Sequence, residues 1–323
     1  MQTYLKTRPV WIQLILFIGM SIGILMTISL IGALVLAKMT GLNMLEFSDP
    51  ESWDPKKPGM LTFMRGMIFI QFIGLFLIPS LLFAYFSDPN PKEYLGLKPP
   101  TKFFYWIAGT AVLLLAIPLV DFLGNLNKSI HFGTFQQWAQ DKENEAMRMI
   151  QFMLSGNTIN DLFINLVFIA VFAGVGEELF FRGILQRLLI KGTKDPWMGI
   201  VIAAFLFSFF HFQFFGFFPR FLLGILLGVM YWYSGSLWVA IIAHFLYDAF
   251  FIIVAHFNPQ LISDPDASVI EPSYLTITAI ISAAIIVALV WMMKKNSTTT
   301  YKEVYAGEEE ENGFGKINNN NGV

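Results

Sequence analysis

Eight stretches of this chain are apolar over a length that can cross the hydrocarbon of a bilayer, and that feature leaves few folds open. Inside lipid no water reaches the backbone, so each run must satisfy its own N–H and C=O groups as a helix. The runs fall near 12–37, 61–86, 103–124, 161–189, 197–217, 220–234, 237–256 and 273–293. The sixth is the shortest and is expected to sit tilted or buried. The first, from Ile12 to Ala37, is too long for a signal-peptide core and reads as a retained helix. Hydrophobic residues make up 55% of the chain and charged ones 14%, more apolar surface than one soluble core of this size hides. Lipid must therefore solvate much of it. The expected class is all-α, a polytopic membrane helix bundle with about eight transmembrane helices.

Charge and cysteine content narrow the chemistry. A net charge of −2 with no long basic stretch excludes nucleic acid as a partner. Cysteine is absent, which removes disulfides and thiolate metal sites and leaves His, Asp and Glu as ligands. Lys6 and Arg8 precede the first run, Lys92, Lys98 and Lys102 follow the second, Arg187, Lys191 and Lys194 follow the fourth, and Lys294 and Lys295 close the last. Eight crossings put all four groups on one side, which the positive-inside rule makes the cytoplasm, with both termini there. Loop 257–272 carries acids and no Lys or Arg, as suits the outside. Segment 125–160 reads either as an amphipathic helix at the outer interface, on Met147, Ile150, Phe152, Met153 and Leu154, or as a solvated loop. The expected organisation is N-terminal helices and an extracytoplasmic loop over 1–158, a core over 159–256, a last helix over 257–295, and a disordered cytoplasmic tail over 296–323.

Ionisable groups concentrate in three of the predicted helices, within about seventy residues. At mid-helix each costs about 2.5–3.5 kcal/mol on insertion scales, so several together imply a shared polar interior. Glu178 and Arg182 are four apart and stack on one face, where carboxylate and guanidinium lower each other's burial cost. Glu177 points about 100° away and is free for another task. His211 follows Phe207-Ser208-Phe209-Phe210, and His244 and Asp248 lie one turn apart on one face. Converging on Glu177, these groups supply a base, two imidazoles and a further carboxylate, enough to activate water. The runs 12–37 and 273–293 have no charge in their interiors, so the clustering is not a general property of the chain. Gly224 and Gly228 read as a packing face, and Arg65 and Arg220 as snorkelling side chains near helix ends.

These residues fall into three ordered motifs: Glu177-Glu178-Leu179-Phe180-Phe181-Arg182 as EExxxR, Phe207 to His211 as FxxxH, and His244 to Asp248 as HxxxN/D. In this the chain resembles the CPBP family of intramembrane proteases, the CAAX-protease and bacteriocin-processing group also called Abi proteins. The resemblance covers about 161–256. It implies that Glu177 is the general base on water, assisted by His211, that His244 and Asp248 hold the oxyanion or orient the water, and that Glu178 and Arg182 position the motif helix. Asp248 departs from the Asn usual in the prenyl-CAAX branch. Neutral Asn can donate a hydrogen bond to an oxyanion and ionised Asp cannot.

The resemblance implies an intramembrane endopeptidase that hydrolyses a membrane-associated peptide or protein substrate near or within the bilayer, and the lack of eukaryotic sorting signals points to a bacterial cytoplasmic membrane. Two versions of the chemistry stay open. In one, His211, His244 and Asp248 bind zinc with an open fourth position; in the other, Glu177 and His211 act directly on water. Nothing in the spacing demands a metal, unlike an HExxH helix, and the second version is favoured. The rivals from other classes are a proton-coupled transporter, whose inverted repeats the sequence does not display, and a non-catalytic bacteriocin-immunity or scaffold protein.

Overall fold

A computed structural model describes residues 4–42, 52–54, 56–260 and 270–306. Parts of the loops 38–60 and 257–272, and the tail from 307, lie outside the described residues. Among those described the chain is all helix, with no strand. Seven helices are long and apolar enough to cross a membrane: α1 (Val10–Thr40), α2 (Met60–Ser87), α3 (Phe104–Lys128), α5 (Ile159–Thr193), α7 (Phe214–Ser234), α8 (Leu237–Phe257) and α9 (Pro272–Asn296). Two others complete the bundle, α4 (Gln136–Met153) and the short apolar α6 (Pro196–Phe209). The protein is an integral membrane protein.

Local chemistry fixes the helix ends. Asp195 accepts hydrogen bonds from the backbone N–H groups of Trp197 (2.7 Å) and Met198 (3.2 Å), with Pro196 in the first turn, and so starts α6. Thr158 and Asp161 form a capping box at the head of α5. Gly235, at φ +65°, closes α7 in the left-handed conformation that glycine takes without penalty. Segment 125–160 does contain a helix, α4, with a polar and an apolar face.

The short helix is α6, where the sequence pointed to the 220–234 run. Fourteen residues rise about 21 Å, short of the roughly 30 Å of hydrocarbon. The aromatic run from Phe205 to Phe218 reads as continuous, but the chain reverses inside it. Phe212 turns to φ +53°, the Ser208 hydroxyl donates to the Phe217 carbonyl at 2.6 Å, and Asn127 of α3 clasps the other side, donating to Phe214 O and accepting from Phe218 N, both at 2.8 Å. His211 therefore sits in the reversal that ends α6.

Two apolar clusters meet on α8. One joins α8 to α3, α7 and α9 through Val112, Met230, Ala240, Ala243 and Ile286; the other joins it to α1, α2, α5 and α6 through Phe17, Phe83, Phe181, Phe207 and Ile241. The basic segments gather at one end of the bundle. Lys6 pairs with Asp88 at 2.8 Å, Lys191 donates to Lys6 O at 3.2 Å, and Lys102 donates to Asn296 Oδ1 at 2.8 Å.

The first residues of the expected disordered tail are ordered. Thr300 and Glu303 form a capping box for one helical turn, Tyr301–Val304. Tyr305 is buried, with its hydroxyl donating to Arg187 O at 2.7 Å, and the Arg187 guanidinium lies over the Tyr94 and Tyr305 rings. Two tyrosines against one arginine give this polar segment a docking contact that its composition does not advertise.

Candidate active site

The site is built on α5, which widens into π-helical turns from Glu178 to Gln186, a geometry that tends to mark functional positions. Arg182 Nη1 donates to Glu178 Oε1 at 2.6 Å, and the two residues are 1% and 0% exposed. A pair this deep needs further partners. Arg182 Nη2 donates to Gly224 O at 3.2 Å, and its guanidinium lies 4.5 Å from the centre of the Phe207 ring. One turn on, Gln186 donates to Gly228 O at 3.1 Å. Gly224 and Gly228 are thus a packing face, as the spacing suggests, and their carbonyls also receive the polar stripe of α5. A Cβ at Gly224 would stand 3.1 Å from Ala204 Cα, so glycine there lets α6 and α7 approach closely.

His244 of α8 closes the other side of Glu178. Its Nδ1 lies 2.9 Å from Glu178 Oε1, and its Nε2 lies 3.5 Å from Asp248 Oδ2. Arg182, Glu178, His244 and Asp248 form a line of alternating charge when the imidazole is protonated, and that line bolts α5 to α8. The expected brace is therefore wider than its own helix: Glu178 positions His244 as well as pairing with Arg182. Backbone contact permits this, because a Cβ at Gly174 would stand 3.1 Å from Phe245 N and 3.2 Å from Ile241 O.

Glu177 turns elsewhere. It is half-buried and, with His211 and Gln71, supplies the polar part of a cavity of about 330 Å³ whose walls include Phe72, Phe76, Met149, Met153 and Phe172. Met149 and Met153 come from α4, so the amphipathic helix roofs the cavity. His211 Nδ1 lies 2.6 Å from Phe207 O. A carbonyl only accepts, so Nδ1 carries the proton and Nε2 of the neutral ring is an acceptor. The structure thus brings Glu177 and His211 to one cavity and sets Glu178, Arg182, His244 and Asp248 in a chain beside it. Phe207 stands between the two groups, its ring 4.9 Å from that of His211 and 6.2 Å from that of His244.

The donor set expected for zinc is not assembled. Among the described residues no three His, Cys, Asp or Glu side chains are grouped so as to hold a metal ion. The reason is local: both nitrogens of His244 face carboxylates, and the Phe207 ring stands between His244 and His211. Two arginines expected to snorkel are tied inside the bundle instead. Arg65 donates to Asn165 at 3.1 Å, and Arg220 donates to Gln213 O at 3.0 Å. Gln186 and Phe207 were legible as i+4 neighbours of Arg182 and His211. Gln71 offered no signal beyond being one amide in an apolar run.

Residues 159–250 match the family described as Rce1-like, type II CAAX prenyl endopeptidase. That segment, less than a third of the chain, is similar to the CAAX proteases. The matched segment holds all seven residues that the motifs specify and the glycines that let α5, α7 and α8 close on one another. A curated relative from Bacillus subtilis (strain 168), "Uncharacterized protein YpbD", is 30% identical over 98 residues, which are 29% of this chain and 47% of that protein. The chain thus matches less than half the length of that relative. No solved structure matches.

Proposed function

We propose that this chain is an intramembrane endopeptidase that hydrolyses a peptide bond within or beside the bilayer, with Glu177 as general base. The observation that carries the reading is the shared cavity, in which one half-buried carboxylate and one imidazole face apolar and aromatic walls. A water between Glu177 and His211 gives a proton to the Glu177 carboxylate as its oxygen adds to the substrate carbonyl carbon. The same proton then passes to the departing nitrogen as the C–N bond breaks, leaving acid and amine. His211 orients the water through Nε2. His244, held between Glu178 and Asp248, supports α8 against the reacting helix, and Arg182 keeps Glu178 in place.

The wall chemistry favours a substrate segment with apolar side chains, presented by a membrane-associated peptide or protein. The contacts among the basic segments support a topology with both termini in the cytoplasm, and the Bacillus subtilis relative suits a bacterial cytoplasmic membrane. The test compares membrane proteomes of cells carrying the native chain and Glu177→Ala. A precursor that accumulates only in the variant, together with loss of cleavage by folded purified Glu177→Ala, is the expected result. Full cleavage by that variant removes Glu177 from the mechanism.

A further inference from the structure

Of the residues assigned to the reaction, His211 has the least support from its own helix. Glu177, Glu178 and Arg182 sit inside α5, and His244 and Asp248 inside α8. His211 lies beyond the end of α6, and its backbone N–H reaches Ser208 O only at 3.4 Å. A group that orients water must be held to a fraction of an ångström, so contacts other than helix geometry have to fix this stretch of chain.

The next residue is strained. Phe212 takes φ +53°, a conformation that crowds the Cβ of any residue but glycine. Such a residue keeps its shape only where neighbours over-determine it, and here side chains do so. Asn127, at the end of α3 and 1% exposed, gives an amide N–H to Phe214 O and takes the N–H of Phe218, both at 2.8 Å. The first bond holds the reversal, and the second holds the first turn of α7. Ser208 and Arg220 add local ties, the hydroxyl to Phe217 O at 2.6 Å and the guanidinium to Gln213 O at 3.0 Å and to the Gln213 side-chain oxygen. Asn127 instead anchors the reversal to a helix 87 residues away in sequence. A primary amide offers donor and acceptor together in a small space, which is what this clasp uses. Asn127 lies outside the matched segment 159–250, and none of the three motifs includes it.

We propose that Asn127 is a positioning residue for His211: by clasping Phe214 it keeps Phe212 left-handed and so holds the His211 imidazole at the Glu177 cavity. This assignment rests on the hydrolase reading, in which His211 orients the attacking water. It makes α3, which carries no motif residue, part of the machinery that sets the geometry of the reaction.

The experiment uses the full chain in detergent micelles and a short quenched fluorescent peptide with Leu and Phe flanking the scissile bond. Asn127→Asp keeps the size of the side chain and is ionised at pH 8, about four units above an ordinary Asp. It retains the acceptor for Phe218 N–H, where the N-terminus of α7 favours an anion, and loses only the donor to Phe214 O. The expected result is a fall in kcat of about 100-fold, the effect of about 1 Å of misplacement. KM should change by less than about threefold, and the unfolding midpoint should drop by less than about 4 °C. The chain has four histidines, so isotopic labelling of their ring nitrogens resolves each one by NMR, and His211→Gln assigns the His211 signals. In Asn127→Asp the His211 ring should lose its single Nδ1–H tautomer, fixed in the native chain by Phe207 O at 2.6 Å, while the His244 signals stay in place. Phe212→Gly removes the strain, so adding it to Asn127→Asp should restore about tenfold in kcat, the worth of one relieved left-handed residue. Native kcat in Asn127→Asp, a fall in kcat with the His211 ring unchanged, or no recovery in the double variant overturns the assignment and leaves the hydrolase reading standing. Where Asn127→Asp fails to fold, a double variant that folds with a native His211 ring supports the assignment, and any other result from it overturns it. Absence of cleavage by the native chain overturns the hydrolase reading and this assignment with it.

Discussion

Removing the Arg182 guanidinium tests the buried charge line most directly. Arg182 and Glu178 are 1% and 0% exposed and meet at 2.6 Å, so Arg182→Ala leaves a carboxylate inside the bundle without its first partner. Breaking a buried pair from one side costs about 3–5 kcal/mol. Two further losses act in the same direction, the contact over the Phe207 ring and the donor to Gly224 O. Each is worth about 1–2 kcal/mol when desolvated. One term opposes them, because His244 still reaches Glu178 at 2.9 Å and shields part of its charge. These contributions share atoms and do not add, so the net expectation stays at about 3–5 kcal/mol. Glu178→Leu combined with Arg182→Met removes both charges at similar volume, and that double variant should unfold within about 2 kcal/mol of the native chain. Equilibrium unfolding in micelles, followed by tryptophan fluorescence for the native chain, the single variant and the double variant, reads these numbers. Cleavage should be lost in every variant, since each frees His244 or α5. If Arg182→Ala unfolds within about 1 kcal/mol of the native chain, or the double variant is as weak as the single one, the charge line does not hold α5 to α8 and the reasoning fails.

Three other outcomes follow from the same geometry. Gly174→Ala pushes a methyl against backbone atoms of α8 at 3.1 and 3.2 Å and should cost about 1–3 kcal/mol, more than Gly176→Ala, whose methyl meets the side chains of Phe72 and Phe76; a reversed order in thermal midpoints counts against the close approach. Glu177→Asp withdraws the base by one methylene and should lower kcat about 100-fold with the fold intact, whereas Glu178→Asp should lower the unfolding midpoint as well, and equal behaviour of the two variants contradicts their separate roles. For Asp88, just outside α2, burial alone pushes the carboxyl up, but the Lys6 ammonium at 2.8 Å and the Asn90 N–H at 2.9 Å outweigh it and hold the carboxyl below its usual 3.8. A carboxyl depressed in the folded state adds stability above its ordinary value and loses it as pH falls through the lower folded value, so Asp88→Asn should cost about 0.5–1 kcal/mol at pH 7 and nothing once the pH has fallen well below that folded value; a difference that persists when the carboxyl is fully protonated speaks against the ion pair.

Hydropathy made the bundle legible because lipid selects length and apolarity, and both are written locally. It misjudged where α6 stops because the stop is not local. Phe205 to Phe218 is uniformly aromatic and apolar but for a few residues, and the reversal depends on Asn127, ninety residues earlier in the chain, gripping Phe214 and Phe218. The same divide runs through the site. Glu178 with Arg182 and His244 with Asp248 are one-turn spacings, visible in any helix. The Glu178–His244 contact depends on how α5 and α8 are rotated about their axes, which Gly174 permits but does not announce. Tail residues 297–306 were hidden for a related reason: polar composition argues for disorder until a buried aromatic such as Tyr305 finds its partner at a distant position.

Adjacent glutamates show how one residue type takes two tasks without any difference in intrinsic chemistry. Neighbours on a helix point about 100° apart, so whichever wall faces each carboxylate decides its use. Glu178 faces Arg182 and His244, has a buried oxygen, Oε2, with no hydrogen-bond partner among the described residues, and is closed off from any space a substrate could enter. Glu177 faces a cavity with room for one and is half-exposed to it. A carboxylate locked between two cations is a poor base, because taking a proton forfeits both attractions. One without such a lock keeps its lone pairs for water. Sealing Glu178 among the charges thus leaves Glu177 as the carboxylate with access to the cavity, and the π-helical widening that begins at Glu178 lies where the two environments part.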